Sequence, residues 1–285
     1  MDHNYLNATL RLAHWDTEFR LWEEGKYSKH ARESSSGVGS TIKNTRNTVQ
    51  TLDTVIVAKG VTSMVDLPCG DWNWMSTTIT RYPDVVYTGM DIAASLIARN
   101  RENFPNYSFA LHDVVQHKLP KKVDLVLNRD MLFHVPPAQG LQALRNIAAS
   151  GSKYLLSTTF PKGSNEDIVL KHPDGGGIWY RINLIEPPFL LPPALSMHVE
   201  SEGQGKFLGL WDLHDANLRA ALGLPSNEDL TAWNSQGVLR LNVFKTSCLC
   251  LVFIFFWRSR RWASRTIGRI STVVPKIILF GGRRW

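Results

Sequence analysis

The amino-acid sequence predicts an α/β protein: a doubly wound, mostly parallel sheet ending in a C-terminal antiparallel hairpin. Three observations predict it. From Val61 onward, short apolar runs alternate with segments of helical period. Each of the first four runs ends at an acid or an amide. Two later runs, "LSMHVE" and "KFLGLWDL", flank a turn carrying Gly203 and Gly205. Alternating strands and helices build parallel βαβ units, and continuous apolar runs suit strands covered on both faces.

The elements follow in chain order. Residues 8–24 predict a helix, because Trp15, Phe19 and Trp22 fall at i, i+4 and i+7. The stretch "ESSSGVGSTIKNT" is polar and glycine-bearing. A helix then resumes through "TVQTLDTVIVAKG", with Ser40 or Thr41 able to cap it. "VTSMVD" is the first strand, and residues 72–82 a helix ending before Pro83. "DVVYTGMD", "YSFALHD" and "VDLVLNRD" are the next three strands, with "AASLIARNRENF" a helix after the second. "PAQGLQALRNIAASG" reads as a helix with Leu141, Leu144 and Ile147 on one face and Gly151 at its end. "SKYLLSTTF" is the fifth strand. Pro187, Pro188, Pro192 and Pro193 exclude a central strand after it. The domain expectation is an N-terminal helical cap over 1–35, a main domain over 36–216, and a basic and apolar tail over 217–285.

Charge separates the tail from the body. The net charge is +7, yet the ten basic residues from Arg240 onward meet no acid. Removing them leaves 22 basic against 25 acidic residues, a net −3. The body therefore has no electrostatic footprint for nucleic acid. Within the tail, "CLCLVFIFFW" is ten residues long, short of the about 20 that a membrane span needs. With "RSRRWASRTIGR" behind it, the region 239–285 reads as a membrane-surface anchor, a partner-binding segment or an aberrant extension. Cys69, Cys248 and Cys250 form neither a disulfide framework nor a metal pattern, so no metal site is expected. Cys69 reads as a packing residue in a tight turn. The start, "MDHNYLNATLRLAHWD", has no apolar core of a secretory signal, and the expected compartment is the cytoplasm. The acceptor-type sequons at Asn7 and Asn106 are then chance matches.

Ligands of open α/β sheets bind beyond the carboxyl ends of the strands, so the residues after each strand carry the function. After the first come Asp66 to Trp72, in "VDLPCGDWNWM". That loop has one glycine, Gly70, where a pyrophosphate loop repeats them, which disfavours a nicotinamide dehydrogenase. After the second strand comes Asp91, 21 residues beyond Gly70, placed for a ribose diol because a carboxylate accepts from both hydroxyls. Asp113 follows the third strand, and Asn128-Arg129-Asp130 the fourth. A nucleoside lacking a pyrophosphate fits this series, and S-adenosylmethionine is such a ligand.

With those motifs in hand, the sequence resembles class I S-adenosylmethionine-dependent methyltransferases, which have a Rossmann-like sheet. More narrowly, it is similar to small methyltransferases whose first motif reads PCGD-x-x-W. The resemblance covers roughly residues 36–215 and also uses "SGVGSTIKNT" and "INLIEPPF". It implies that Asp66, Cys69, Gly70, Asp71 and Trp72 shape the cofactor loop. It further implies Asp91 with Ile92 at the ribose, Asp113 with Val114 at the adenine, and Asn128 or Arg129 at the methionine end. Ser36 to Thr41 would cover the cofactor.

Three expectations concern the acceptor. Asp130 and His134 lie four apart and would share a helical face, with His134 a candidate general base near neutral pH. Trp179, Arg181 and Asn183 are candidates to line the acceptor pocket. "NRDM" stands where N-methylating enzymes carry Asn or Asp before Pro-Pro and an aromatic, so an oxygen on a small molecule is the favoured acceptor. The competing reading is an inactive relative that binds the cofactor as a sensor or partner subunit.

Overall fold

The computed structural model describes residues 16, 17, 20, 21, 33–166 and 179–226. The expected stripe of Trp15, Phe19 and Trp22 and the tail region 239–285 lie outside these residues.

Seven strands form one sheet in the order β3-β2-β1-β4-β5-β7-β6. They are β1 (Ser63–Asp66), β2 (Val86–Asp91), β3 (Ser108–Leu111), β4 (Leu125–Asn128), β5 (Tyr154–Thr159), β6 (Ser196–Ser201) and β7 (Lys206–Asp212). The first five pair in parallel, and β7 runs antiparallel to both β5 and β6. The expected α/β sheet with a late hairpin is therefore the one that forms. Strand order reverses beside β1, so the carboxyl ends of β1, β2 and β4 border one crevice.

The sheet is flanked by α1 (Arg46–Lys59), α2 (Met75–Ile79), α3 (Ala94–Asn103), α4 (Pro137–Ala148) and α5 (Ala216–Ala221), and residues 16, 17, 20 and 21 are also helical. Side chains alternate across each strand, which splits the core in two. Val65, Val126 and Leu155 face one cluster with Leu144 and Ile147 of α4. Met64, Leu125, Leu127 and Leu156 face the other with Leu52 and Val55 of α1. Both faces are dry, as the continuous apolar runs require.

Three boundaries differ from expectation. Helix α1 starts after Thr45, and Thr41 instead donates its hydroxyl to the Val38 carbonyl in a preceding turn. The helix expected from Trp72 begins only at Met75, because Trp72 has φ 60, outside the helical region. The body also continues past 216. Asp215 caps α5 by accepting from Leu218 N at 2.9 Å, and Leu218 and Leu222 pack into the core. Among the described residues no helix is long and apolar enough to cross a membrane.

Candidate functional site

The loop after β1 is held from both sides. Leu67 N donates to Leu127 O at 2.9 Å, and Cys69 N to Met90 O at 2.8 Å. Gly70 has φ 57, a left-handed conformation that glycine adopts without strain. Its N–H donates to Asp91 Oδ2 at 3.1 Å, and its carbonyl accepts from Asn100 Nδ2 at 2.8 Å. A side chain at 70 would collide with Ser36 Oγ. The single glycine thus answers one geometric demand, at the point where a second segment crosses the loop.

That segment, residues 33–41, lies across the loop as a strap. Asp71 accepts Ser35 N at 2.6 Å and the Ser36 hydroxyl at 3.2 Å, and Asp71 N donates back to Ser36 Oγ at 2.8 Å. Asn73 Nδ2 donates to Ser40 O at 3.0 Å. Asp71, expected to shape the cofactor loop, is here the anchor of the strap.

Asp66 and Asp91 are both buried at their strand ends. Asp66 accepts from the Tyr87 hydroxyl at 2.9 Å. Asp91 accepts from Gly70 N and, at 3.0 Å, from Ala93 N. Desolvation pushes Asp66 up to about 7, against the bond from Tyr87, with the Asp91 charge adding to the rise. Desolvation likewise pushes Asp91 up to about 6, against its backbone hydrogen bonds. Ile92, half-buried, follows Asp91. Asp113 turns the chain after β3, accepting Val115 N at 3.0 Å. Asn146 of α4 holds the carbonyls of Val114 and Val115 at 2.7 and 3.1 Å. Beside Asp113, His112 Nε2 is buried with no hydrogen-bond partner, and burial lowers the ring's pKa.

Two loop residues serve packing. Trp72, expected at the cofactor, is 1% exposed. Its ring sits 4.5 Å from Phe104, 4.5 Å from Tyr107, 5.3 Å from Phe109 and 5.6 Å from Tyr87. The φ of 60 turns it down into this box and away from the crevice. Cys69 is buried too, and desolvation, then Asp91 and Asp66, push its thiol up, which excludes a reactive thiolate.

At β4 the side chains brace rather than project. Asn128 Nδ2 donates to Leu67 O at 2.6 Å, tying β4 to the loop. Arg129, 6% exposed, donates Nε and Nη2 to Glu200 Oε1 at 2.7 and 2.6 Å, and Nη2 also to Gly39 O of the strap at 2.8 Å. Lys206 donates to Asp130 Oδ2 at 2.7 Å and reaches Glu200 Oε1 at 3.1 Å. Asp130 has φ 57, and its carboxyl accepts from Thr158 Oγ1 at 3.1 Å. Arg129 and Lys206 hold this carboxyl far below the usual carboxylate range, overriding desolvation. A carboxylate so stabilised is a poor proton acceptor. This corrects the expectation of a catalytic pair on one helical face. Asp130 has left-handed backbone, and the 3-10 turn Leu132–His134 starts only after Met131. His134 is half-buried, with its ring centroid 4.4 Å from that of Phe133.

The acceptor-side candidates divide. Trp179 is half-buried against Phe133 and Phe160, with centroids 6.4 Å from each. Arg181 is exposed. Asn183 is 3% exposed, and its amide donates to Pro161 O at 3.1 Å while Asn165 pairs with its backbone. Asn183 braces its own loop, its amide donating to the carbonyls of Pro161 and Gly163.

Sequence reasoning missed Glu200, Lys206 and Thr158. Glu200 reads as a solvated acid at a strand end, and Lys206 as an ordinary turn lysine. Only the hairpin register, Ser201 opposite Lys206, brings them together.

No family model matches the sequence. Among solved structures, one similar chain is the Burkholderia thailandensis 1,6-didemethyltoxoflavin-N1-methyltransferase, solved with 1,6-didemethyltoxoflavin and S-adenosylhomocysteine. The identity is 12%, the match covers 74% of this chain and 92% of that one, and the TM-score is 0.51. The chain carries the class I methyltransferase fold. The magnesium protoporphyrin IX methyltransferase of Synechocystis PCC 6803 matches at 18% identity over 57% of this chain and 80% of that one, with a TM-score of 0.40. A Clostridium acetobutylicum S-adenosylmethionine-dependent methyltransferase matches at 12% identity over 41% of this chain, with a TM-score of 0.35. The chain spans about half that protein's length, 52%. Asp66, Asp91 and Asp113 end or follow β1, β2 and β3 at the carboxyl edge of the sheet, and the strap crosses the loop after β1.

Proposed function

We propose that the protein is an S-adenosylmethionine-dependent methyltransferase acting on a small molecule, with an oxygen acceptor favoured. One observation carries the reading: buried acids end β1 and β2, a third follows β3, and the loop among them has no pyrophosphate cradle. Burial raises Asp66 and Asp91, so a cationic ligand is electrostatically wanted there.

When bound, S-adenosylmethionine supplies a methyl group already activated by its sulfonium. The chain's own residues have simpler duties. Asp91 accepts from the ribose hydroxyls, and Asp113 with Val114 holds the adenine edge. Asp66 offers negative charge toward the cationic end. The strap 33–41 covers the loop and excludes water. His134 is the group that would take a proton from a hydroxyl acceptor, since Asp130 is held by its cations.

The test is methyl transfer from labelled S-adenosylmethionine into a small-metabolite extract. The expected result is a labelled low-mass product, lost in Asp91→Asn and reduced at least about tenfold in His134→Ala. Cofactor binding without any transfer across varied extracts would favour the sensor reading instead.

A further inference from the structure

The strap has little apolar hold on the body. Its 3-10 turn, Val38–Ser40, buries no residue, and Val38 is 41% exposed. What secures it is polar: Asp71 at Ser35 and Ser36 toward its start, and Arg129 and Asn73 at the carbonyls of Gly39 and Ser40 toward its end. Such a segment opens with a low local free energy. Arg129 can reach Gly39 O because its guanidinium is fixed by Glu200, through two donors to one oxygen. Glu200 is fixed in turn by Lys206 and by Thr48 Oγ1 at 3.1 Å each, and its carbonyl by Asn47 Nδ2 at 3.1 Å. Its side chain is 1% exposed. Glu200 also leaves Oε2 buried and unpartnered while Oε1 takes every donor. That one-sided arrangement suits an oxygen used to aim an arginine.

We propose that Glu200 is a positioning residue of the cofactor crevice, acting through Arg129 to latch the strap over the loop Gly70–Trp72. The latch is a property of the chain itself. Its effect on a bound cofactor rests on the methyltransferase reading. Glu200 itself is enclosed by Arg129, Lys206 and Thr48, so its loss shortens the time the crevice stays closed by freeing Arg129 and the strap, not through a contact of its own with the cofactor.

Hydrogen–deuterium exchange of the full-length protein tests this, with and without S-adenosylhomocysteine, alongside stopped-flow release of that ligand. In Glu200→Gln, peptides spanning 33–41 should exchange about tenfold faster, the loss of one charge-assisted hydrogen bond, while β1 and β4 peptides stay protected. Ligand release should accelerate by a similar factor, with association changed less than about twofold. Arg129→Lys should behave like Glu200→Gln, because an ammonium lacks the fork that joins Glu200 Oε1 to Gly39 O. If Glu200→Gln loses protection in β1 and β4 as well, Arg129→Lys and Asp71→Asn carry the test, the latter freeing the strap from its other end. Unchanged strap exchange in the folded variants overturns the latch, and faster exchange with unchanged release overturns the role of Glu200 in positioning the cofactor crevice. Faster exchange in variants that, like the wild type, never bind the ligand upholds the latch and sinks the methyltransferase reading.

Discussion

Asp66 and Asp91 sit in the folded apoprotein with raised proton affinity, up to about 7 and about 6. In an unfolded chain such a group titrates at about 3.9. Between those values the folded state holds more protons on these two carboxyls than the unfolded one, so their contribution to stability falls as pH rises from about 4 to about 7, while the lowered His112 and His198 rings act with the opposite sign. The depressed carboxyls of Asp124 and Asp130 act below that window, with the opposite sign. Asp66→Asn should therefore make the apoprotein more stable at pH 8 than the wild type, and less dependent on pH between 5 and 8. Urea titrations of both proteins at the two ends check this, and a stability difference between wild type and Asp66→Asn that does not shift toward the variant from pH 5 to 8 would contradict it. A bound cation works the other way. S-adenosylmethionine should bind more tightly as pH rises through 6 and 7, and Asp66→Asn should flatten the upper part of that rise. These acids were legible in the sequence because each ends an apolar run at the sheet's carboxyl edge. Trp72 was not, because its fate depends on a left-handed backbone and on rings of Tyr87, Phe104, Tyr107 and Phe109 that only the tertiary fold gathers.

Among elements, the parallel strands were readable from period and apolar content, and their ends agree with the observed β1 to β5 to within a few residues. Element junctions were not. Helix α2 is shortened by Trp72, and α5 belongs to the body although its sequence looked like the start of a tail. Leu218 is 1% exposed in the core, so Leu218→Ala should cost about 2–5 kcal/mol by chemical denaturation. A cost under about 0.5 kcal/mol would place α5 outside the cooperative unit. The β2–β3 contact offers a second check. A Cβ at Gly89 would stand 2.8 Å from the Phe109 ring and 3.0 Å from Cys69 Cβ. Gly89→Ala should then lose about 1–3 kcal/mol by overpacking. The hairpin β6–β7 was legible as a hairpin, but its burial of Glu200 beside Lys206 was not, since a charge at a strand end gives no local sign of being inside.

For the whole molecule, both core clusters among the described residues are built from positions between Leu52 and Leu222. Removing 227–285 takes away none of them, so the shortened chain should melt cooperatively and bind the same nucleoside. If the basic and aromatic stretch 239–285 is a membrane anchor, the full chain should sediment with anionic vesicles and the shortened one should not. Equal sedimentation of the two would remove that role. The fold class, the strand-end acids and the one-glycine loop all point to a nucleoside carrying positive charge and no pyrophosphate. Calorimetric titration at pH 8 with S-adenosylmethionine, S-adenosylhomocysteine and NAD tests that claim most directly, in the wild type and in Asp91→Asn. Micromolar-range binding of the first two, no heat with NAD, and about 10–100-fold weaker binding in Asp91→Asn are the expected results. Tight binding of NAD, or unchanged S-adenosylmethionine affinity in Asp91→Asn, would contradict the account.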